Sequence, residues 1–479
     1  MRYPSHGLVL NVWNCSHGGS LMKLQGGYLP NIPGRPSSDI QDAAVPERLD
    51  IALRQGGVVY APAVADGTPV AFGAPLAWAD ATGGRIALPA PAAGIVRLLP
   101  GTKSTAPRLL IEVSSTAVKP TGKRYKPGKA NAKQIREALA AGGVWPLIRK
   151  SKTGTMPPLD GSELPTCLIV NLISTEPFRA DGQSILHADR ARIETGLMFL
   201  PSLLKAQDGR IHLVVEKVTD PDAQALSLTL AKDSRFKLET LPARYPAEHP
   251  TVLARALRRH DRTLTPADSI WVLDAQAVLA IGACLADGMP LHERIVATGG
   301  PGVANPCHRR VRIGTPLRSL LPPSVFADTT RLLKGGLFTG TPAVPDSAIE
   351  SLDDGFFAMP NTGEREFLGF VHPGFDRVSA LPCFGSALTG ADDRHLTATL
   401  RGERRPCVAC GLCEKVCPIE LLPQILHRYL YRDAIDQAQA AGVDLCIGCG
   451  LCSYVCPSKI ELRQQFADVQ TRLREEQTL

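Results

Sequence analysis

Cysteines near the C-terminal end carry the clearest chemical signal in this 479-residue chain. The pattern C-x2-C-x2-C-x3-C-P occurs twice, and eight of the thirteen cysteines stand in it. The first run contains Cys407, Cys410, Cys413 and Cys417, and the second contains Cys446, Cys449, Cys452 and Cys456. Three thiolates at this spacing bind one iron–sulfur cubane, whereas the fourth, which precedes proline, binds the neighbouring cluster. The pattern therefore predicts two [4Fe-4S] clusters.

The same rule predicts that the ligand sets are crossed between the runs. One cluster is assigned to Cys407, Cys410, Cys413 and Cys456, and the other to Cys446, Cys449, Cys452 and Cys417. A zinc ribbon would use paired C-x2-C units, and a disulfide framework is typical of small secreted domains, so neither fits this pattern. The other cysteines are scattered and are interpreted as buried hydrophobic residues or incidental thiols: Cys15, Cys167, Cys284, Cys307 and Cys383.

Residues 419–443, between the two runs, place apolar side chains at helical spacing. A helical spacer is typical of an alpha-helical ferredoxin, in which we expect Leu422, Ile425 and Leu426 to shield the clusters from water. The predicted ferredoxin domain covers residues 401–465, and residues 466–479 are predicted to form a helical tail.

Length and composition bound the rest of the chain. A chain of 479 residues is too long for one core, so a multidomain protein of α/β and α+β class is expected. No run of eighteen apolar residues occurs, and the most apolar stretch, residues 270–285, is interpreted as a buried strand and helix because Asp274 interrupts it. The net charge of +7 is mild, and its local concentrations at 119–133 and 401–405 lack interleaved aromatic residues, so nucleic-acid binding is not expected.

The amino-terminal residues lack the basic stretch followed by a long apolar core that an export signal requires. Iron–sulfur ligation also fits a reducing compartment, so a cytoplasmic location is predicted. Met22 opens the first well-patterned segment. Residues 1–22 are therefore interpreted as an extension, disordered or created by a wrongly chosen start, with Met1 and Met22 both remaining as possible starts.

The body is predicted to contain three units. Residues 23–118 alternate short β-rich pieces with Gly and Pro and look like the barrel-sandwich hybrid fold of biotinyl and lipoyl domains, but the turn at 90–94 has no lysine to modify. A linker at 119–130 leads to an α/β unit at 131–296 with a parallel sheet. Its predicted strands are 167–173, 212–216 and 270–273, and its predicted helices are 130–141, 189–204 and 251–259. Residues 297–345, with a strand at 311–313 and a helix at 317–321, resemble a β-grasp (SLBB) domain, and 346–400 form a connecting region.

From Met22 onward the chain resembles the A subunit of sodium-translocating NADH:quinone reductase (Nqr) and the C subunit of the Rnf electron-transport complex. The matching segments, in order, are Leu24-Gln-Gly-Gly27, Leu168-Ile-Val-Asn171 with Glu176-Pro177, Thr298-Gly-Gly-Pro-Gly-Val303, Arg312-Ile-Gly-Thr-Pro316, Lys334-Gly-Gly336 and the cysteine runs. Nqr A subunits carry no cluster cysteines. The body therefore resembles Nqr A and a complex I flavoprotein-like fold, whereas the C-terminal module resembles Rnf C.

The resemblance also bears on flavin and nucleotide binding. Rnf C subunits have a Gly-rich loop that approaches FMN and NADH, and only Gly permits this approach. The corresponding segment here keeps only Gly142-Gly143, which is interpreted as a helix C-cap, so FMN and NADH are not favoured. Residues 334–341 have the lysine on the wrong side of the glycines for a phosphate loop and are interpreted as a strand and turn.

Two other residues are candidate cofactor contacts. Glu176 follows a strand at the edge where α/β sheets usually bind ligands, although a capping or turn role is equally compatible with its position. Lys152, together with Arg149, is positioned to contact an anion, and a solvated surface is the alternative interpretation.

These features predict an iron–sulfur electron-transfer subunit, peripheral on the cytoplasmic face of the inner membrane, in an ion- or proton-translocating oxidoreductase of Nqr or Rnf type. Its expected partners are the membrane subunits of that complex and a redox donor or acceptor protein. Two alternatives remain: an NADH:FMN electron-input subunit like Rnf C, and a docking platform for a soluble electron-transfer complex.

Overall fold

The computed structural model describes residues 20–30, 32–101, 107–206, 208–217, 219–361, 373–375, 385, 388, 398 and 404–478. These residues form a mixed α/β structure with several separate sheets, followed by a helical region at the C-terminal end. Some predictions fall outside the described residues. They concern residues 1–19 of the extension, most of the connecting region 346–400, Cys15, Cys383 and residues 401–403.

Short antiparallel strands form the N-terminal β-rich region, as its frequent Gly and Pro turns predict. Alternate side chains of its first long strand, Leu49 and Ile51, are buried, so the strands enclose a core. One sheet contains, in spatial order, Arg48–Ala52, Arg108–Ser115, Ala93–Leu99 and Pro69–Val70. A second contains Ala61–Pro62, Pro75–Ala81 and Gly84–Pro89, and Arg54–Gln55 pairs with Val58–Val59.

The helix predicted at 130–141 is present as Ala132–Ala141. It begins after Asn131, whose side chain accepts the amide of Gln134 while the Gln134 side chain accepts the amide of Asn131. This reciprocal capping satisfies two backbone donors at the start of the helix. The helix ends at Gly142, whose N–H donates to the carbonyl oxygens of Ala138 and Ala140, so the predicted C-cap is confirmed.

A six-stranded sheet forms the core of the α/β unit. All neighbouring strands are parallel except the edge strand Arg149–Lys150. In spatial order the strands are Ser20–Leu21, Phe236–Thr240, Arg210–Val215, Cys167–Asn171, Ile270–Asp274 and Arg149–Lys150. The surrounding helices are Gly182–Ala188, Arg190–Leu197, Pro221–Leu230, Pro250–His260 and Ala275–Gly282. The three predicted strands and the parallel arrangement are therefore confirmed, with ends that differ by one or two residues.

The helix predicted at 189–204 is wrong in its length. The α-helix ends at Leu197, and a separate 3-10 turn covers Leu200–Leu203. Pro201 has no backbone N–H and clashes with the preceding turn, so an α-helix does not continue through it. The apolar periodicity of this stretch nevertheless reports burial correctly, because Leu197, Leu200 and Leu203 all lie in the core.

A second six-stranded sheet mixes parallel and antiparallel pairs. Its strands, in spatial order, are Ile40–Asp42, Cys307–Arg312, Glu293–Gly299, Gly355–Pro360, Thr330–Lys334 and Thr341–Pro342. The strands Ile40–Asp42 and Gly355–Pro360 lie outside the predicted segment 297–345, and Glu293–Gly299 crosses its start. Pairing between distant parts of the chain therefore builds this sheet. The strand and turn predicted for 334–341 are confirmed. The helix predicted at 317–321 is a single 3-10 turn, Leu317–Ser319.

The C-terminal region is helical. Its helices are Leu412–Val416, Pro423–Tyr431, Ile435–Ala440, Leu451–Tyr454 and Leu462–Thr478. The predicted helical spacer consists of two helices separated at Asp433, which has a φ of 53°. Leu426, Ala438 and Phe466 are buried in a shared core. Within the described ranges, none of the helices has both the length and the apolar composition needed to cross a bilayer.

Candidate functional site

Two small cavities in the helical region bring the eight clustered cysteines together in two sets. We name as cavity A the space lined by Cys407, Cys410, Cys413 and Cys456. Cavity B is lined by Cys417, Cys446, Cys449 and Cys452. Each cavity thus receives three thiols from one run and one thiol from the other, which is the crossed grouping that the spacing predicts.

The backbone around the two cavities has the same turns at corresponding positions. In each run, three residues have the left-handed backbone conformation. Two of them lie between the cysteines, and the third lies two residues after the proline of Cys-Pro. The corresponding pairs are Ala409 and Gly448, with φ of 52° and 65°, Gly411 and Gly450, with 72° and 80°, and Glu420 and Lys459, with 60° and 55°. Such turns direct backbone amides into an anion-binding concavity. Two of these amides donate to sulfur, Leu421 to Cys417 Sγ at 3.3 Å and Gly448 to Cys446 Sγ at 3.5 Å.

The cysteines of cavity B are on average less exposed than those of cavity A. Cys407 and Cys410 of cavity A are exposed. In cavity B, Cys452 is buried, and the other three cysteines, Cys417, Cys446 and Cys449, are all partly buried. Burial raises the pKa of the Cys449 thiol to about 12 and that of Cys413 to about 11. Thiolates are the metal-binding form of cysteine, and a bound cation stabilises them in such surroundings. Four soft sulfur donors around an apolar space fit an iron–sulfur cubane.

No three His, Cys, Asp or Glu side chains of the described residues converge on a point in the way that ligands surround one metal ion. The cysteines instead line the walls of cavities A and B. Apolar side chains form much of the remaining walls: Ile460 and Leu462 in cavity A, and Ile419, Leu421, Leu451 and Phe466 in cavity B. Polar side chains also line them, Gln424, His427 and Ser458 in cavity A and Arg463 in cavity B.

The predicted shield of the clusters is not supported for Leu422 and Ile425, neither of which lines a cavity, whereas Leu426 belongs to the same core as Cys452, against which Cys413 and Cys446 pack. Leu422 is 52% exposed, and Leu426 is buried in the shared helical core and lines neither cavity. The helix that contains Leu426 begins only at Pro423, so Leu422 lies outside it. The periodicity located the helix correctly but could not show which of its sides faces the cysteines.

A larger polar cavity of about 300 Å³ adjoins cavity B. It lies where the parallel strands Cys167–Asn171 and Ile270–Asp274 end, at the edge of an α/β sheet that usually binds ligands. Cys449 and Ile447 line both this space and cavity B. The charged residues around the polar cavity are Arg149, Glu176, Arg179, Glu248, Asp274, Arg294 and Asp354, together with His249.

Glu176 lies in the wall of the polar cavity and caps a neighbouring loop. Its carboxylate accepts the amides of Phe338 and Thr339, at 3.1 and 2.7 Å, and the hydroxyl of Thr339. Arg179 approaches it at 3.4 Å and forms a closer ion pair with Asp354 at 2.6 Å. Glu176 is 3% exposed. The capping interpretation of Glu176 thus has direct support in these contacts.

Lys152, the other candidate cofactor contact, is exposed and does not line the polar cavity. Arg149 does line it and is partly buried, which lowers the pKa of its guanidinium. Arg149 thus lies in the edge strand Arg149–Lys150, whereas the exposed Lys152 lies in the turn that follows it.

Sequence reasoning missed Glu248 and His249. Burial raises the pKa of Glu248 to about 7, and its carboxylate accepts the Glu176 amide at 2.8 Å and the Thr175 hydroxyl. Burial, with a smaller contribution from Arg179, lowers the pKa of His249 to about 4. Neither residue belongs to a motif. The hydrogen-bond partners of Glu248 lie about seventy positions away in the chain, whereas His249 accepts the amide of Thr251 at the start of the helix Pro250–His260. Only the fold reveals the cluster.

An aromatic contact joins the polar cavity to cavity B. The rings of Tyr245 and Phe338 stack at 4.5 Å, and the Tyr245 hydroxyl donates to the carbonyl oxygen of Cys449 at 2.7 Å. Arg463, which lines cavity B, donates to the carbonyl oxygen of Phe338 at 2.7 Å. The body of the protein therefore contacts the cysteine module through specific hydrogen bonds as well as through apolar packing.

Fold and site together define a class: an α/β protein that carries a cysteine-rich, iron–sulfur type helical module. Comparison with known families makes this more specific. Residues 130–290 match the family described as the NqrA second alpha/beta domain, and residues 403–460 match the 4Fe-4S dicluster domain.

Curated relatives match much longer parts of the chain. One is the A subunit of the Na(+)-translocating NADH-quinone reductase of Rhodopirellula baltica, 28% identical over 74% of this chain and 76% of the relative. The A subunits of the same reductase from Teredinibacter turnerae and Pasteurella multocida are 27% and 26% identical over 88% and 86% of this chain, and 92% and 89% of their own length. The predicted resemblance to Nqr A subunits, with a 4Fe-4S module at the C-terminal end, is confirmed.

Among solved structures, an NAD+-reducing [NiFe]-hydrogenase in the air-oxidized state covers 51% of this chain and 52% of its own, with 15% identity and a TM-score of 0.33. The same enzyme in the H2-reduced state gives a TM-score of 0.33 with 13% identity.

Proposed function

We propose that this chain is the iron–sulfur electron-transfer subunit of a membrane-associated, ion- or proton-translocating NADH:quinone or ferredoxin:NAD oxidoreductase complex of Nqr or Rnf type. The observation that carries the proposal is the joining of two crossed cysteine cavities to a body similar to Nqr A subunits. Two one-electron centres on such a body form a relay between a redox protein and membrane subunits.

Two [4Fe-4S] clusters are the cofactors in this proposal. Cavity A supplies Cys407, Cys410, Cys413 and Cys456 as ligands of one cluster, and cavity B supplies Cys446, Cys449, Cys452 and Cys417 as ligands of the other. When bound, the clusters supply one-electron transfer. The chain positions the sulfurs with left-handed turns, donates backbone amides to them, and excludes water from cavity B with Leu421, Leu451 and Phe466.

The domain organisation belongs to the same proposal. Residues 23–118 form a barrel-sandwich hybrid domain, 131–296 a degenerate complex I flavoprotein-like domain, 297–345 a β-grasp-like domain and 401–465 an alpha-helical ferredoxin. The short antiparallel strands, the parallel sheet and the helical cysteine module support these assignments. The helix Leu462–Thr478 continues past residue 465, so the predicted tail packs with the ferredoxin through Phe466, Val469 and Leu473.

We place the protein on the cytoplasmic face of the inner membrane, bound to the membrane subunits of its complex. The names of its relatives, which are A subunits of a sodium-translocating reductase, support the association with such a complex. In cell fractionation we expect the chain to sediment with membranes and to be released when the membrane subunits are deleted. Recovery of the chain wholly in the soluble fraction of wild-type cells would contradict this part of the proposal.

One observation favours a second candidate function. The polar cavity has the size of a small-ligand site and shares Cys449 with cavity B, as an NADH:FMN electron-input function would require. The third candidate, a docking platform for a soluble electron-transfer complex, needs neither flavin nor membrane partners. Flavin content after purification separates the second candidate from the others, and membrane association separates the third from the first.

Metal analysis of anaerobically reconstituted protein tests the central proposal. We expect about eight iron atoms and about eight acid-labile sulfides per chain, as two cubanes require. Electron paramagnetic resonance of the dithionite-reduced protein should show two interacting [4Fe-4S] centres. Zinc in place of iron, or iron sufficient for a single cubane, would contradict the assignment.

A further inference from the structure

Cavities A and B differ in charge at one corresponding position. In each half, a helix begins five residues after the proline of the Cys-Pro pair, and the second residue of this helix lines the cavity. That residue is Gln424 in the helix Pro423–Tyr431 beside cavity A, and Arg463 in the helix Leu462–Thr478 beside cavity B. Of two cavities with otherwise similar backbone turns, therefore, only cavity B has a guanidinium at this position.

The position of Arg463 is fixed by the body of the protein. Its guanidinium donates to the carbonyl oxygens of Phe338 and Thr339, at 2.7 and 3.5 Å, and its own amide donates to Ser453 Oγ at 2.9 Å. Among the described residues, no carboxylate lies within ion-pair distance of Arg463. Glu176 binds the amides of the same loop but is paired with Arg179. The charge of Arg463 is therefore held by neutral carbonyls and is not cancelled by a direct ion pair.

A fixed positive charge beside a cluster has a defined physical effect. Reduction adds one negative charge to the cubane and its thiolates, and a nearby cation stabilises the reduced state more than the oxidised state. The effect is large where water is excluded, as it is around the buried Cys452 of cavity B.

We propose that Arg463 raises the reduction potential of the cluster held in cavity B, and so biases an electron in the relay towards the cluster that faces Tyr245, Phe338 and the polar cavity. The corresponding Gln424 leaves the cluster in cavity A without this stabilisation. Arg463 is a positioning residue, since it acts on the redox equilibrium and ligates no iron. The inference rests on the proposed function, because it requires a cluster in each cavity.

Redox titration of the full reconstituted chain, monitored by electron paramagnetic resonance, tests this role. The variants Cys410→Ser and Cys449→Ser first assign the two signals to cavities A and B. Arg463→Gln should then lower the reduction equilibrium constant of the cavity B cluster about tenfold, equivalent to about 59 mV for a one-electron couple. The reciprocal Gln424→Arg should shift the cavity A cluster in the opposite direction by a similar factor.

Two controls separate charge from folding. Arg463→Lys keeps the charge but loses the two-carbonyl geometry. The reduction equilibrium constant of the cavity B cluster in this variant should therefore stay within about threefold of the wild-type value. Arg472→Gln removes the same charge from an exposed position on the same helix, about 14 Å further along its axis, and should shift neither cluster. Iron and sulfide contents of every variant are measured first.

The outcomes distinguish the inference from the proposed function on which it rests. Wild-type protein without two cubanes would overturn the proposed function itself. Two intact cubanes whose potentials do not respond to Arg463→Gln would overturn the role of Arg463 alone. Equal shifts in Arg463→Gln and Arg463→Lys would also overturn it, because they would show that the contact with Phe338, and not the charge, sets the potential.

Discussion

The hydroxyl of Tyr245 donates a 2.7 Å hydrogen bond to the backbone carbonyl of Cys449. Tyr245 lies in the loop that follows the strand Phe236–Thr240 of the α/β sheet, whereas Cys449 lies in the second cysteine run. The Tyr245 ring also stacks on Phe338, in the loop that Glu176 caps. One side chain therefore fixes the body, the capped loop and the wall of cavity B relative to each other.

Removal of this hydroxyl should loosen cavity B without disturbing the stacked rings. For Tyr245→Phe we expect a destabilisation of about 1 kcal/mol, since a partly buried carbonyl oxygen loses its donor. Iron should also be lost faster from one of the two clusters during chelator challenge, measured by the decay of its visible absorbance. Tyr431→Phe is the matched control, because Tyr431 is 85% exposed. Equal chelator sensitivity of both variants would contradict this role of Tyr245.

The crossed arrangement gives a second prediction. Cys417→Ala should damage the cluster that is otherwise held by Cys446, Cys449 and Cys452, although Cys417 belongs to the other run. Cys456→Ala should damage the cluster of cavity A in the same way. Each variant should lose the resonance of one cluster, to be compared with the signals lost in Cys449→Ser and Cys410→Ser. If Cys417→Ala instead removed the resonance of the cavity A cluster, and Cys456→Ala that of the cavity B cluster, the crossed ligation would be excluded.

Much of this organisation is readable in the sequence, and particular residues show where sequence reasoning ends. The cysteine runs predict their own grouping because the ligand spacing is local. The strands predicted at 167–173 and 270–273 are apolar runs, which only Asn171 interrupts. Glu248 has no such signal, since its partners Thr175 and Glu176 reach it only through the fold. Leu422 misled the prediction of the shield because periodicity defines a helix but not the direction in which its sides face. Pro201 marked the end of a helix that apolar spacing alone extended too far.

The raised pKa of Glu248 makes stability depend on pH in a predictable direction. Because its folded pKa is about 7 and its ordinary value is 4.5, the folded chain binds more protons than the unfolded chain between these values. The free energy of unfolding should therefore fall as pH rises through this window. In the wild-type chain, Glu248 should lower the free energy of unfolding by on the order of 1–3 kcal/mol between about pH 5 and pH 8. In Glu248→Gln this contribution should be absent.

Thermal unfolding midpoints of wild type and Glu248→Gln, recorded across that pH range, measure the effect of Glu248 as a difference. The comparison cancels the contribution of Asp353, whose pKa burial raises to about 6 in both proteins. Glu176, Arg179 and His249 also face Glu248 and remain unchanged in the variant. The exposed Glu137→Gln serves as the control and should retain the wild-type pH dependence. Parallel curves for wild type and Glu248→Gln would refute a protonated Glu248.

Glu176 should contribute to stability through the loop that it caps. In Glu176→Ala the amides of Phe338 and Thr339 lose their acceptor, and Arg179 loses one of its two carboxylate partners. Removal of one partner from a buried charged network costs about 3–5 kcal/mol. We expect a clear fall in the unfolding midpoint, against little change for Glu163→Ala, whose side chain is 39% exposed. An unfolding midpoint as high as that of the control would show that the capped loop holds its shape without Glu176.

The last prediction concerns FMN and NADH, which need backbone amides that approach the phosphates closely. Gly142 and Gly143 stand at the matching position, but both are already in close contact with protein atoms. A Cβ on Gly142 would lie 2.6 Å from Cys284 Sγ, and one on Gly143 would lie 2.7 Å from Pro89 Cδ. Next to them Trp145 is fully buried and donates its indole N–H to the carbonyl oxygen of Pro157 at 2.9 Å. These glycines therefore have a packing role that leaves no open cradle.

We accordingly expect the purified chain to retain no stoichiometric FMN, and NADH to leave the visible absorbance of its clusters unchanged, whereas dithionite reduces them. Flavin is measured by fluorescence after acid release, and cluster reduction by anaerobic stopped-flow absorbance. The dithionite arm is the internal control, since it shows that the clusters are intact and reducible. If NADH bleached the clusters of the isolated chain within a turnover time, the polar cavity beside Cys449 would be a working nucleotide site, and the NADH:FMN electron-input function would replace the relay proposed above.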